Sequence, residues 1–140
     1  MPSKLPTASR LQRRALTAAL LSALALPAYA GSLCQLVDAS GAALAVDGSA
    51  PGADALACGP RAKAEGDRSV AVGGDARASG KNATAVGSWI DLDGDGAVDP
   101  DEIAWAGGDN ATALGAAAQA LGKQSLAVAV RSVATGHNSV

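Results

Sequence analysis

From Ser69 onward the chain alternates small apolar residues with others at a period of two, in blocks of five. The blocks are SVAVG at 69–73, ARASG at 76–80, ATAVG at 83–87, ATALG at 111–115, AQALG at 118–122 and SLAVA at 125–129. A period of two puts alternate side chains on opposite faces of a strand. Each block therefore predicts a strand of about five residues, under roughly 20 Å long. Between blocks stand Gly, Asn and Asp, the residues of tight turns.

The blocks recur at a fixed step. Gly52, Gly66, Gly80, Gly108, Gly122 and Gly136 are fourteen apart, or once twenty-eight. Ala50, Ala64, Ala78, Ala106, Ala120 and Ala134 keep the same step, and Gly59, Gly73, Gly87 and Gly115 form a second glycine series. Two short strands and two turns per fourteen residues make one coil of a parallel β-solenoid. So narrow a coil admits only small side chains between its walls, which is the physical reason for alanine on one face of every strand.

The two strands of a unit differ on their other face. The ARASG type turns Lys63, Arg77 or Gln119 outward, toward water. The SVAVG type carries Val70 and Val72, Thr84 and Val86, Thr112 and Leu114, or Leu126 and Val128. Stacked from coil to coil, these make an apolar stripe, and such a stripe marks an interface that a closed oligomer such as a trimer would bury.

One stretch breaks the rhythm. SWIDLDGDGAVDPDEIAW, residues 88–105, holds six acidic residues and no basic one between Trp89 and Trp105. From Asp91 it places Asp at positions one, three, five and nine, Gly96 at six and Glu102 at twelve, the pattern of an EF-hand-type calcium loop. Calcium takes six to eight hard oxygens, so the expected ligands are Asp91, Asp93 and Asp95 directly, the Ala97 carbonyl, Asp99 through water, and Glu102 with both oxygens. Asp99-Pro100-Asp101-Glu102 also resembles a helix start. The segment before the loop is too short for an entering helix, so this is a lone loop, for which weak affinity is expected; an acidic, solvated excursion with no ion is the alternative. From Gly87 to Gly115 is twenty-eight residues, so the excursion adds one whole period and the repeat resumes in phase at Gly108. Trp89 and Trp105 are placed to stack at its base.

Charge and cysteine content sharpen the picture. Residues 1–30 carry Lys4, Arg10, Arg13 and Arg14, then an apolar run at 15–26, then Ala28-Tyr29-Ala30. That order predicts an export signal cleaved after Ala30, with a twin-arginine route as the minority alternative. Four of the eleven basic residues leave with it and none of the thirteen acids do, for a mature net charge of about −6. With no basic patch, nucleic acid is not an expected partner. The apolar run is too short to span a membrane, and no later segment could span one as a helix. Cys34 and Cys58, the only cysteines, would meet an oxidising compartment, where they either form a disulfide stapling residues 31–51 to the repeats or remain free thiols. His137 is the sole histidine, and no nucleophile is spaced for a triad, so no enzyme is expected. Asn82 and Asn110 match a glycosylation pattern, but Asn138 shares their repeat phase and turn chemistry accounts for all three.

The units SVAVGGDARASGKNATAVG (69–87) and NATALGAAAQALGKQSLAVA (110–129) resemble the head repeats of trimeric autotransporter adhesins, the YadA-like family of Gram-negative surface proteins. The resemblance covers residues 52–140. It implies an all-β fold, a left-handed parallel β-roll, a homotrimer, and attachment to host extracellular matrix, cells or surfaces; it brings no catalytic residues. Complete members continue into a coiled-coil stalk and a membrane anchor. This sequence stops at ATGHNSV, which suggests a truncated reading frame or N-terminal fragment, held at the outer membrane if an anchor exists and secreted otherwise. A secreted calcium-binding solenoid without adhesive role is the alternative.

Overall fold

The computed structural model describes residues 32–34, Ser40 and residues 47–140; the predicted export signal at 1–30 lies outside them. The described chain is all β, with no helix among its elements. The elements are β1 (Ser32–Leu33), β2 (Leu56–Cys58), β3 (Lys63–Ala64), β4 (Val70–Val72), β5 (Arg77–Ala78), β6 (Thr84–Val86), β7 (Trp105–Ala106), β8 (Thr112–Leu114), β9 (Gln119–Ala120), β10 (Leu126–Val128) and β11 (Val133–Ala134). The strands are two or three residues long, not the five expected. The residues flanking each apolar block are spent on turns.

Two parallel sheets result. The first stacks β1, β2, β4, β6, β8 and β10 in that order, and the second stacks β3, β5, β7, β9 and β11. Partners stand fourteen residues apart, as in Val70 with Leu56 and Lys63 with Arg77. Across the excursion they stand twenty-eight apart: Thr84 pairs with Thr112 and Arg77 with Trp105. The added period expected from the glycine spacing is what keeps both sheets in register.

The core between the sheets is built from alanine. Ala57, Ala71, Ala85, Ala113 and Ala127 file along the first sheet, and Ala64, Ala78, Ala106, Ala120 and Ala134 along the second, all buried. Close packing here comes from methyl groups alone, so the walls must approach tightly. The turns permit this. Asp54, Arg68, Asn82, Asn110, Gln124 and Asn138 all adopt left-handed φ near 55°, one per coil. Asn and Asp tolerate that region best among residues with a Cβ, which bears out the turn reading of the three asparagines. Asn82 donates its side-chain N–H to Asn110 Oδ1 at 3.1 Å and accepts from Arg68 Nε at 2.7 Å, so the turns also form a ladder.

The N-terminal side is tied on covalently. Cys34, next to β1, forms a disulfide with Cys58 of β2, with Cα atoms 4.6 Å apart. Its backbone N–H donates to the Ala57 carbonyl at 3.0 Å, continuing the parallel pairing of β1 with β2.

Candidate functional site

The excursion departs after Ser88, whose carbonyl still accepts the Ala117 N–H of the next coil at 3.0 Å, and the coil resumes at Ala104, whose carbonyl accepts the Arg77 N–H at 2.8 Å. Between these points the acidic segment makes its own turns. Asp91 accepts the N–H groups of Gly94 at 2.6 Å and Gly96 at 3.1 Å. Asp93 accepts that of Asp95 at 3.1 Å, and Asp95 that of Ala97 at 2.7 Å. Gly94 and Gly96 take φ of 82° and 74°, a conformation that costs a residue with a Cβ free energy, so the bend needs glycine.

Three of the six expected ligands come together. Carboxylate oxygens of Asp91, Asp93 and Asp95 lie within 4.8 Å of one another, all on exposed residues. Ala97 is exposed one turn further on. Asp99 is exposed and outside the trio; desolvation, then the charges of Asp95, Glu102, Asp93 and Asp101, raises its pKa above the ordinary value. Glu102 is also outside the trio, and it is buried. Its Oε1 accepts the Leu92 N–H and its Oε2 the Asp99 N–H at 3.2 Å.

Several expectations change here. Residues 99–102 form a turn, not the first turn of a helix: Glu102 N–H reaches Asp99 carbonyl at 3.1 Å and the chain then enters the coil. Trp105 does not stack on Trp89. Its ring lies under the Arg77 guanidinium, 5.3 Å from centroid to Cζ, and its indole N–H donates to Ser79 Oγ at 2.9 Å. Gln119, expected to face water, is buried because the excursion folds back over the second sheet, where Gln119 Nε2 donates to the Pro100 carbonyl at 2.9 Å. Ile103 is buried at the same seam. The signal for this was present in the sequence: an isoleucine directly after an acidic run has to find an apolar surface, and the second sheet is the nearest.

Between the returning limb and that sheet lies an open groove of about 350 Å³, lined by Val98, Asp99, Pro100 and Ile103 on one side and Arg61, Lys63, Asp75 and Arg77 on the other. Asp75 grips Arg61 with both oxygens, at 2.7 and 2.6 Å, and raises the guanidinium pKa further.

The opposite face is of another kind. Outward from the first sheet stand Val70, Val72, Thr84, Val86, Thr112, Leu114, Leu126 and Val128, with Val86 38% and Val128 54% exposed. No charged residue interrupts these strands. The apolar stripe expected from the sequence is therefore present and open on a single chain.

An alanine-cored parallel solenoid of fourteen-residue coils, with one apolar outer face and one mixed face of Lys63, Arg77, Trp105, Gln119 and Val133, is a repeat-built module with no assembled catalytic site among the described residues. A family model described as YadA head domain repeat (2 copies) matches residues 50–76, 64–88 and 106–128, on both sides of the excursion and not within it. The repeat region of this chain belongs to that family and forms a YadA-like head. A search of curated proteins finds no match.

Proposed function

We propose that the protein is the head of a trimeric adhesin, exported and displayed at the bacterial surface, where it attaches to host matrix, cells or other surfaces. The observation that carries this is the match to YadA head repeats on a chain whose first sheet presents a continuous apolar face. A core of methyl groups leaves the larger apolar side chains no interior to occupy. Self-association through that face gives them one, and three-fold closure leaves no open copy of the stripe. Family membership supports the same state. No helix among the described residues is long and apolar enough to cross a membrane.

Mass measurement by light scattering tests the assembly. The protein should run as three chains, and Leu114→Asp, placing a charge in the stripe, should yield a folded monomer that no longer binds a matrix-coated surface. A monomeric, non-adherent parent protein would refute the proposal.

The excursion serves in this reading as a calcium loop. Asp91, Asp93 and Asp95 are its nucleus, the Ala97 carbonyl is within the same turn, and Asp99 can contribute through water. Three short carboxylates so close together repel one another, and a hard divalent cation relieves that repulsion. Calcium titration followed by tryptophan fluorescence reads the site locally, because Trp89 and Trp105 bracket it. A saturable change reversed by chelator and lost in Asp91→Ala is expected; its absence, together with no heat of binding, would leave the excursion an ion-free acidic surface.

A further inference from the structure

Glu102 stands at the twelfth loop position, from which an EF-hand-type loop gives both carboxylate oxygens to the ion. In this protein both are engaged elsewhere. Oε1 takes the Leu92 N–H and Oε2 the Asp99 N–H at 3.2 Å, with the residue only 2% exposed. Its main chain adds two bonds, accepting from Ile90 N–H at 2.9 Å and donating to the Asp99 carbonyl at 3.1 Å. Two of these four hydrogen bonds join Ile90 and Leu92, at the start of the loop, to Glu102 at its end, and the other two tie Glu102 to Asp99.

The other side-chain hydrogen bonds of the loop span two to five residues and only bend the chain. They do not close it. Hydrogen bonds from backbone N–H to a carboxylate are among the stronger kinds, and surrendering them would leave the half-buried Leu92 amide without its acceptor and release the Asp99 amide. Turning Glu102 toward the trio would demand that surrender.

We propose that Glu102 is the closure of the acidic loop, a positioning residue that holds Asp91, Asp93 and Asp95 together before any ion arrives, and is not the ion's bidentate ligand. The positioning of ligands rests on the calcium reading above; the closure itself does not. Two consequences follow. The excursion stays folded on the second sheet in chelator, and calcium affinity depends on Glu102 only through the fraction of loops that are closed.

Amide hydrogen exchange on the full protein, first in chelator and then with added calcium chloride, separates these roles. In chelator the Leu92 and Asp99 amides should be protected. Glu102→Gln, which replaces one acceptor with a donor, should speed exchange of both by about tenfold or more. Asp93→Asn should leave that exchange unchanged while weakening calcium. Calcium affinity measured by calorimetry should fall in Glu102→Gln by no more than the factor by which the loop opens.

Unprotected Leu92 and Asp99 in the parent protein, in chelator, would overturn the proposal, with no variant needed. So would a Glu102→Gln protein that loses calcium while keeping its exchange rates, the behaviour of a direct ligand. The Ala71 and Ala113 amides report whether the solenoid is intact in each variant. If the parent binds no calcium, the calcium reading fails by itself and the exchange result alone decides the closure.

Discussion

Gly80 and Gly74 lie six residues apart in one coil, and replacing each with alanine should have opposite consequences. A Cβ built on Gly80 collides with the carbonyl of Gly108 in the next coil and comes within 2.9 Å of the Asp109 nitrogen. All of these are backbone atoms, so no side chain can swing aside. The coils are held at that spacing by the Ser79 N–H to Ala106 carbonyl bond at 3.0 Å and the Gly80 N–H to the same carbonyl at 3.3 Å. Relief requires moving the coils apart and giving up one or both. Overpacking of this kind costs about 1–3 kcal/mol, and each hydrogen bond lost in a buried site about 1–3 kcal/mol more. Gly80→Ala should therefore cost at least about 2 kcal/mol, a large part of the roughly 5–15 kcal/mol that holds an ordinary domain together.

Gly74 meets nothing within 4 Å, and its φ is not left-handed. Gly74→Ala should fall within about 0.5 kcal/mol of the parent. At roughly 4–8 °C per kcal/mol for a domain of this size, thermal unfolding by circular dichroism should separate the two variants by more than about 6 °C. Oxidised protein should be used so that the disulfide is constant. Equal midpoints would mean that Gly80 does not pack against Gly108, and that the register across the excursion is not the one described here.

Other perturbations test other parts of the fold. Asp99 has a raised pKa, so it binds a proton more readily folded than unfolded and costs stability as pH rises past the ordinary Asp value, in full above its folded pKa. In chelator, Asp99→Asn should therefore melt higher than the parent near neutral pH, with the difference closing as pH falls below the ordinary Asp range; a difference independent of pH would refute this. Cys34→Ser opens a link spanning 24 residues, worth about 3.5 kcal/mol by loop entropy, and the loss should show as faster exchange in the first coil with the last coils unaffected. Ser69 has a buried Oγ without a hydrogen-bond partner in a position where Ala55, Ala83 and Ala111 stand in other coils, so Ser69→Ala should stabilise by up to about 1 kcal/mol in urea titration. Ala129 holds φ of 116° where Gly59, Gly73 and Gly115 occupy the same turn of other coils, and Ala129→Gly should gain about 1 kcal/mol or more in the same assay.

The coils were legible because their physics is local and repeated. Alanine at every fourteenth residue can only mean a wall that must be approached closely, and the twenty-eight-residue gap between glycines correctly forecast that Thr84 would find Thr112. Strand length was overestimated because alternation also runs through residues such as Ser69 and Gly73, which belong to turns. The excursion was legible in composition and not in placement. The alternate spacing of its acids gathers Asp91, Asp93 and Asp95, as spacing alone can. Where Glu102 points is set by two amides, and the burial of Gln119 by Pro100 nineteen residues away. A one-dimensional pattern of acids carries neither fact.

Where the excursion sits bears on how a YadA-like head tolerates it. It leaves the coil after β6, a strand of the apolar sheet, yet folds the other way, over Gln119 on the second sheet. Had it folded over Val86 and Leu114, it would cover the stripe that self-association needs. Two features prevent this. The limb returning from the acidic loop buries Ile103 and brings the Pro100 carbonyl to Gln119, while the five exposed aspartates, without a basic partner, could not be buried against valine and leucine without a desolvation cost of several kcal/mol each. The second sheet offers hydrogen-bonding groups and open solvent, so the aspartates stay hydrated there while Glu102 alone is buried. A whole-period length keeps the coils in register, and the charge of the insert excludes it from the apolar face. In a trimer closed through the first sheet, each excursion would therefore lie on the outside.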